Sequence, residues 1–226
     1  MTQPARLAIL ASGRGRNLEA IQAAIDLGDL NAQIVGVFSN RTRAPALAFA
    51  REKGIPADAL QPKRYADRAS YDTALAERVT AVAPDWVVLA GYMRILTANF
   101  IDRFAGRLVN IHPSLLPAYK GLHTHTRVLA AGERMHGASV HFVTDELDAG
   151  PVIRQGHIHV KPDDSAETLG DRVMACVERQ LYSTALAELI NGTVDYRNNA
   201  IYRDGKPQQE PPNACYDTTS SSQHNA

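Results

Sequence analysis

Asn110 and His112 stand two residues apart in NIHPSLLP, residues 110 to 117, at the end of an apolar run that begins at Arg107. Alternate side chains of a strand share a face, so amide and imidazole point the same way, with Leu108 beside them. Pro113 favours extended geometry at His112 and Pro117 closes a short loop, which places the pair where the strand ends. An amide donor beside an imidazole is equipment for hydrogen bonding and proton transfer to a ligand, and ligands of open parallel sheets bind at the carboxyl ends of strands. Taken alone, the pair reads equally well as a turn-capping amide and a hydrogen-bonded core histidine.

Two other stretches carry chemistry. SGRGRN, residues 12 to 17, follows an apolar run and precedes a helical pattern. Glycines one residue apart let backbone N–H groups converge on an anion, and the helix amino terminus adds partial positive charge. The glycines also suit a purely conformational turn. The GK[ST] of a Walker loop is absent, and a dinucleotide site would want glycine where Leu18 stands and an acidic residue near Ser39, Asn40 and Arg41. Arg41 and Arg43 keep a 2′-phosphate of NADP as an alternative, although a phosphate monoester on a small substrate is simpler. HFVTDELDAGPVI, residues 141 to 153, sets Asp145, Glu146 and Asp148 between two apolar strands. They form either a solvated turn or, through Asp148 before the Ala149-Gly150-Pro151 turn, a carboxylate that orients an imidazole and favours its protonated form. HTH at 123 to 125, with His136 and His141, raises a metal question, but no HExxH or Cys/His pairing accompanies it, and the expectation is no metal.

The elements that must position these groups alternate. Strands are expected at 6 to 11, 33 to 38, 86 to 90, 107 to 112 and 138 to 143, and helices near 17 to 28, 44 to 53, 70 to 82 and 122 to 131. A long helix follows from about 165 to 190, where Leu169, Val173, Val177 and Leu181 recur every four residues, Gly192 supplies a stop, and Asp164 with Glu167 resembles a capping pair. Cys176 within it reads as a packing residue. This order is an α/β fold, a doubly wound, mainly parallel sheet flanked by helices in a single domain. The domain is expected over 1 to 206, its last part a hairpin or irregular cover, and 207 to 226 is expected as a disordered polar tail. GYMRIL at 91 to 96, past the WVVLA strand, offers backbone groups to the edge of a flat heterocycle, or is ordinary packing at the start of a helix.

The chain has 226 residues, with 24 basic and 24 acidic side chains, so no basic field argues for nucleic acid and small molecules are the expected partners. Only Cys176 and Cys215 occur, without CxxC spacing, and no apolar run is long enough for a membrane span or a signal segment. A cytoplasmic protein with no membrane partner is expected.

SGRGRN, VFSNR, VVLAGYMRIL, NIHPSLLPAYKGLHTH and HGASVHFVTDELDAGPVI together closely resemble the folate-dependent glycinamide ribonucleotide formyltransferases, in order over about residues 6 to 190. The resemblance implies a formyltransferase-like, Rossmann-type fold in which glycinamide ribonucleotide accepts the formyl group of the co-substrate 10-formyltetrahydrofolate, without a metal, in purine synthesis. A tetrahedral species with charge on oxygen would then be met by Asn110 and His112, with Asp148 supporting His112. Gly13, Arg14, Gly15, Arg16 and Asn17 would hold the substrate phosphate and Glu178 the ribose hydroxyls. Arg68, Met93, Arg94, Ile95, Leu96, Asn110, Thr144, Asp145, Glu146, Leu147 and Asp148 would line the folate site, Arg68 near the glutamate tail. The family often has a small hydroxyl residue where this chain has Arg16, so Arg14 and Arg16 either pair with phosphate or point to solvent. Related enzymes share the Asn, His and Asp pattern. A formyltetrahydrofolate deformylase would be expected to carry a regulatory domain before the phosphate loop, and a methionyl-tRNA formyltransferase a basic RNA-binding domain after the core. A binding module without turnover would be marked by loss of Asn110, His112 or Asp148, and all three are present. Association into a homodimer is left open.

Overall fold

Leu7 and Ile9 face one side of the first strand, Ala8 and Leu10 the other, and all four are fully buried, as in a strand covered by helices on both faces. The computed structural model describes residues 3–198 and 200–217. In chain order it contains β1 (Ala5–Leu10), α1 (Arg16–Asp26), β2 (Ala32–Ser39), α2 (Pro45–Glu52), β3 (Ala57–Ala59), α3 (Arg68–Ala81) and β4 (Trp86–Leu89). Next come α4 (Ala98–Arg103), β5 (Leu108–His112), α5 (Thr124–Ala130), β6 (Met135–Phe142), β7 (Val152–His159), α6 (Ala166–Arg172) and α7 (Arg179–Ile190). The chain closes with β8 (Val194–Arg197), β9 (Ala200–Arg203), β10 (Lys206–Pro207) and β11 (Asn213–Cys215).

Eight strands form one sheet in the order β11-β7-β6-β5-β4-β1-β2-β3. β1 runs parallel to β2 and to β4, β2 to β3, and β4 to β5, while β6 is antiparallel to both β5 and β7. The chain therefore winds outward from β1 in two directions, and the expected doubly wound, mainly parallel sheet is what forms. Leu18 and Ile21 of α1 and Leu181 and Leu186 of α7 pack on one face of this sheet. Tyr71, Leu75 and Val79 of α3, with Phe100 and Phe104, pack on the other. Each fully buried side chain of this size contributes about 1.5–3 kcal/mol, so the strand ends are held by a core on both sides. No helix among the described residues is long and apolar enough to cross a membrane.

Three expectations change. The expected helix of 165 to 190 is interrupted by a π-helical stretch, Val173–Glu178, between α6 and α7. Its cap is not Asp164 with Glu167 but Ser165 with Thr168, because the first helical residue is Ala166 and the third helical position therefore falls on Thr168. Asp164 instead pairs with Arg172 at 2.5 Å. Within the segment expected as a disordered tail, β11 pairs in parallel with β7, and Gln155 donates its backbone N–H to the Pro212 carbonyl at 2.8 Å. An open sheet edge offers unpaired backbone groups to any neighbouring strand, which composition alone does not register. Residues 218–226 of that expected tail lie outside the described residues. The expected cover after the long helix is a separate three-stranded antiparallel sheet, β8 to β10.

Candidate active site

β5 ends on the two residues that its sequence singles out. His112 is buried, and its Nε2 lies 2.9 Å from the Tyr119 carbonyl while Nδ1 lies 3.3 Å from Asp148 Oδ2. With an oxygen acceptor on each side, both contacts are hydrogen bonds only when both ring nitrogens carry hydrogen. Asp148 arrives from the β6–β7 loop with a positive φ of 49°, unusual for a residue with a side chain. The same Oδ2 accepts the backbone N–H of Gly121 at 2.9 Å, which holds the carboxylate and the 119–121 turn together around the imidazole. Tyr119 and Gly121 also have positive φ, 56° and 80°.

Asn110 meets a residue that the sequence reading left out of the site. Antiparallel pairing of β5 with β6 sets Asn110 opposite His141, and Asn110 Nδ2 lies 3.1 Å from His141 Nε2. His141 Nδ1 faces the Phe142 carbonyl at 2.9 Å, so Nδ1 carries the hydrogen and Nε2 accepts from the amide. Burial pushes the pKa of His141 down, outweighing the Phe142 and Asp148 contacts that favour its charged form. The signal for His141 was its period-2 position on the neighbouring strand, but only a known strand pairing turns that into a contact. The NIHPSLLP turn itself is clamped by two buried side chains. Ser139 Oγ accepts from the Leu116 N–H at 3.0 Å and donates to the Ser114 carbonyl at 2.7 Å, and Gln155 Nε2 donates to the Leu116 carbonyl at 2.8 Å.

Two clefts flank this group. One is lined by Tyr92, Arg94, Ile95 and Leu96 past β4, by Asn110 and His141, and by Thr144 to Asp148 of the acidic loop. It gathers the residues that the resemblance implied for a folate site, except Arg68 and Met93. The segment past β4 is tied down from α3, where Asp72 accepts the Thr97 N–H at 2.7 Å and Tyr71 shares a 2.8 Å hydroxyl contact with Tyr92. Arg68 stands apart: it is the exposed first residue of α3 and lines neither cleft. A residue that begins a helix after a turn is placed by the turn, and the sequence signal does not carry that geometry. Met93 lines the second cleft, while its neighbours Tyr92 and Arg94 line the first.

The second cleft, of about 490 Å³, lies between Gly13 to Asn17, Gly91, Met93, His125, Gly170, Asp171 and Glu178. It opens between β1 and β4, the point where the winding of the sheet reverses and where ligands of such sheets bind. Gly15 has a φ of 85°, and a Cβ there would sit 2.8 Å from that of Ala46, so glycine is required twice over. The π-helical stretch ends on Glu178, which is buried and accepts from Asn17 Nδ2 at 2.7 Å. Burial raises its pKa, against the opposing pull of Asn17 and Arg16. Asn17 Oδ1 is buried without a hydrogen-bond partner among the described residues. Arg16, for which pairing with phosphate and pointing to solvent were both set out, is half-exposed, and its Nη1 pairs with Asp171 at 2.7 Å across the cleft mouth. Arg41 and Arg43 are exposed and line neither cleft.

The histidines of the metal question separate. His125 and His136 contact each other at 2.8 Å, His141 serves Asn110, and among the described residues these histidines form no group of three ligands. Cys176 packs against the core as expected.

Residues 5–186 match the formyl transferase family. The chain is 43% identical over 206 residues to the phosphoribosylglycinamide formyltransferase of Escherichia coli K12, covering 91% of this chain and 96% of that one. It is 39% identical over 201 residues to the enzyme of the same name from Haemophilus influenzae, covering 89% and 94%. The solved phosphoribosylglycinamide formyltransferase of Coxiella burnetii superposes with a TM-score of 0.89 at 42% identity, over 94% of this chain and 99% of that one. The paired clefts and the groups between them sit within the matched region, and the chain belongs to the formyl transferase family, among the phosphoribosylglycinamide formyltransferases.

Proposed function

We propose that this chain transfers the formyl group of 10-formyltetrahydrofolate to the amine of glycinamide ribonucleotide, giving formylglycinamide ribonucleotide and tetrahydrofolate in purine synthesis. The observation that carries the reading is the meeting of Asn110, His112 and Asp148 at the end of β5, between a loop-walled cleft and a phosphate-loop cleft. The nucleotide phosphate sits against Gly13 to Asn17, with Glu178 accepting from ribose hydroxyls, and the folate lies along 94 to 96 and 144 to 148. Both partners are small molecules, and a cytoplasmic location goes with the reaction.

The amine attacks the formyl carbon, charge builds on the formyl oxygen, and the bond to the folate nitrogen breaks as that nitrogen takes up the proton the amine gives away. Asn110 keeps one amide N–H on His141 and has a second for the formyl oxygen. His112 reaches the reacting atoms through Nε2, which requires the Tyr119 carbonyl to yield its place. Asp148 holds the ring by Nδ1 throughout. No covalent enzyme intermediate is needed.

The test is absorbance-monitored loss of the formyl group from a 10-formylfolate analogue, with and without glycinamide ribonucleotide. Loss that depends on the nucleotide supports transfer. Loss without it would make the chain a deformylase built on the same site.

A further inference from the structure

His159, Cys215 and Asp217 lie outside the site described above, yet their imidazole, thiol and carboxylate come within 4.8 Å of one another. Sheet register explains the meeting. β11 runs parallel to β7 with Cys215 opposite His157, and the Tyr216 N–H continues the ladder by donating to the His157 carbonyl at 2.8 Å. Two residues further along each chain stand His159 and Asp217, on the same face as Cys215 because alternate side chains share a face. The His159 backbone N–H donates to Asp217 Oδ1 at 3.0 Å, its Nδ1 meets Oδ2, and Cys215 Sγ lies 3.5 Å from that Oδ2. His159 and Cys215 are both exposed, so a cation reaches them from solvent without opening the fold.

We propose that His159, Cys215 and Asp217 bind a divalent transition-metal cation of the zinc class, which fastens the C-terminal strand onto β7. The donor set is the argument for the class of ion. Calcium and magnesium take oxygen ligands, whereas a nitrogen, a sulfur and one carboxylate oxygen suit a four-coordinate zinc-like ion with solvent as its fourth ligand. Binding displaces the thiol proton of Cys215, which is released, while the imidazole stays neutral with its hydrogen on Nε2 and Nδ1 free to ligate. Asp217 Oδ1 remains on the His159 N–H, an outer contact of the kind that orients a ligating carboxylate. His157 has its Nδ1 engaged with Asn213 Oδ1 at 2.8 Å, leaving three protein donors. Cys215 and Asp217 lie beyond residue 186, where the family match ends, and none of the three donors lines either cleft.

The experiment titrates the metal-free full chain with Co²⁺, which reports tetrahedral coordination by visible ligand-field bands and thiolate ligation by near-ultraviolet charge transfer. One cobalt per chain with a thiolate band, displaced by Zn²⁺, is expected. Cys215→Ser should abolish the charge-transfer band, and His159→Ala should weaken binding by more than the ~10–100-fold that loss of an outer-shell partner costs. Cys176→Ser should leave the titration unchanged, and all three variants should keep the formyl-transfer rate of the parent chain, a readout that shows they are folded. Absence of a thiolate band in the parent chain, or its persistence in Cys215→Ser, overturns the proposal and leaves an ion pair with a neighbouring thiol. Unchanged affinity in His159→Ala overturns it as well.

Discussion

Asn110 and His141 face each other across β5 and β6, and the amide nitrogen of one donates to the ring nitrogen of the other over 3.1 Å. This pairing fixes which end of the Asn110 amide carries hydrogens into the cleft. Substituting His141 with alanine should therefore lower kcat by disorienting Asn110, since misplacing a reacting group by an ångström costs on the order of 100-fold. KM for the nucleotide should stay near its parent value, because Glu178 and the phosphate loop lie in the other cleft. Steady-state kinetics on both substrates separates this from general damage, which would move both KM values.

Removing the donors themselves should cost at least as much. Asn110→Ala and His112→Ala are each expected to reduce turnover by about 10²–10³ with folding intact. Asp148→Asn keeps the shape while removing the charge beside Nδ1, and a drop of similar size is expected. Near-parental turnover in Asn110→Ala or His112→Ala, with circular dichroism showing a folded protein, would sink the assignment.

Glu178 offers a buried carboxylate whose contact from Asn17 survives replacement by glutamine. A hydrogen bond to a charged group is worth about 1.5–3 kcal/mol, so Glu178→Gln should raise KM for the nucleotide roughly 10–100-fold while leaving KM for the folate unchanged. An equal effect on both substrates would show that the pocket had collapsed rather than lost one contact.

The Arg16–Asp171 pair is half-exposed on both sides, so its direct contribution to stability is within about 1 kcal/mol. Its expected influence is on binding. In Asp171→Asn the guanidinium is released toward the phosphate loop, and the nucleotide KM should fall and become more sensitive to salt. If KM and its salt dependence are unchanged in both Asp171→Asn and Arg16→Ser, neither residue addresses the phosphate.

Acid should destabilise the protein through His136. Burial, reinforced by the charges of His125 and His112, holds its pKa down at about 4. The unfolded chain takes up that proton near 6.5, so between these values the unfolded state binds more protons and stability falls as pH falls. The contribution is fully present above the unfolded value, and on the order of 3 kcal/mol is lost by the time pH reaches the folded one. Urea midpoints from pH 7 to 4 should decline less steeply in His136→Asn than in the parent chain.

Much of this was legible in the sequence by itself. Leu7 to Leu10 announce a strand, the glycines of SGRGRN announce a turn into a helix, and period-2 geometry puts Asn110 and His112 on one face before Pro113 ends the strand. These are local properties, set by backbone sterics and by the two-residue repeat of a strand, and they need no knowledge of what packs nearby. What only the tertiary structure decided depends on contacts between segments far apart in the chain. His141 reaches Asn110 through antiparallel register, Asp171 captures Arg16 over 155 positions, and a π-helical stretch turns Glu178 toward Asn17 over 161. Residues 213 to 215 bond to a sheet edge that composition cannot see. Such pairings follow from which surfaces the folded sheet leaves available, and that is a property of the assembled core rather than of any single stretch.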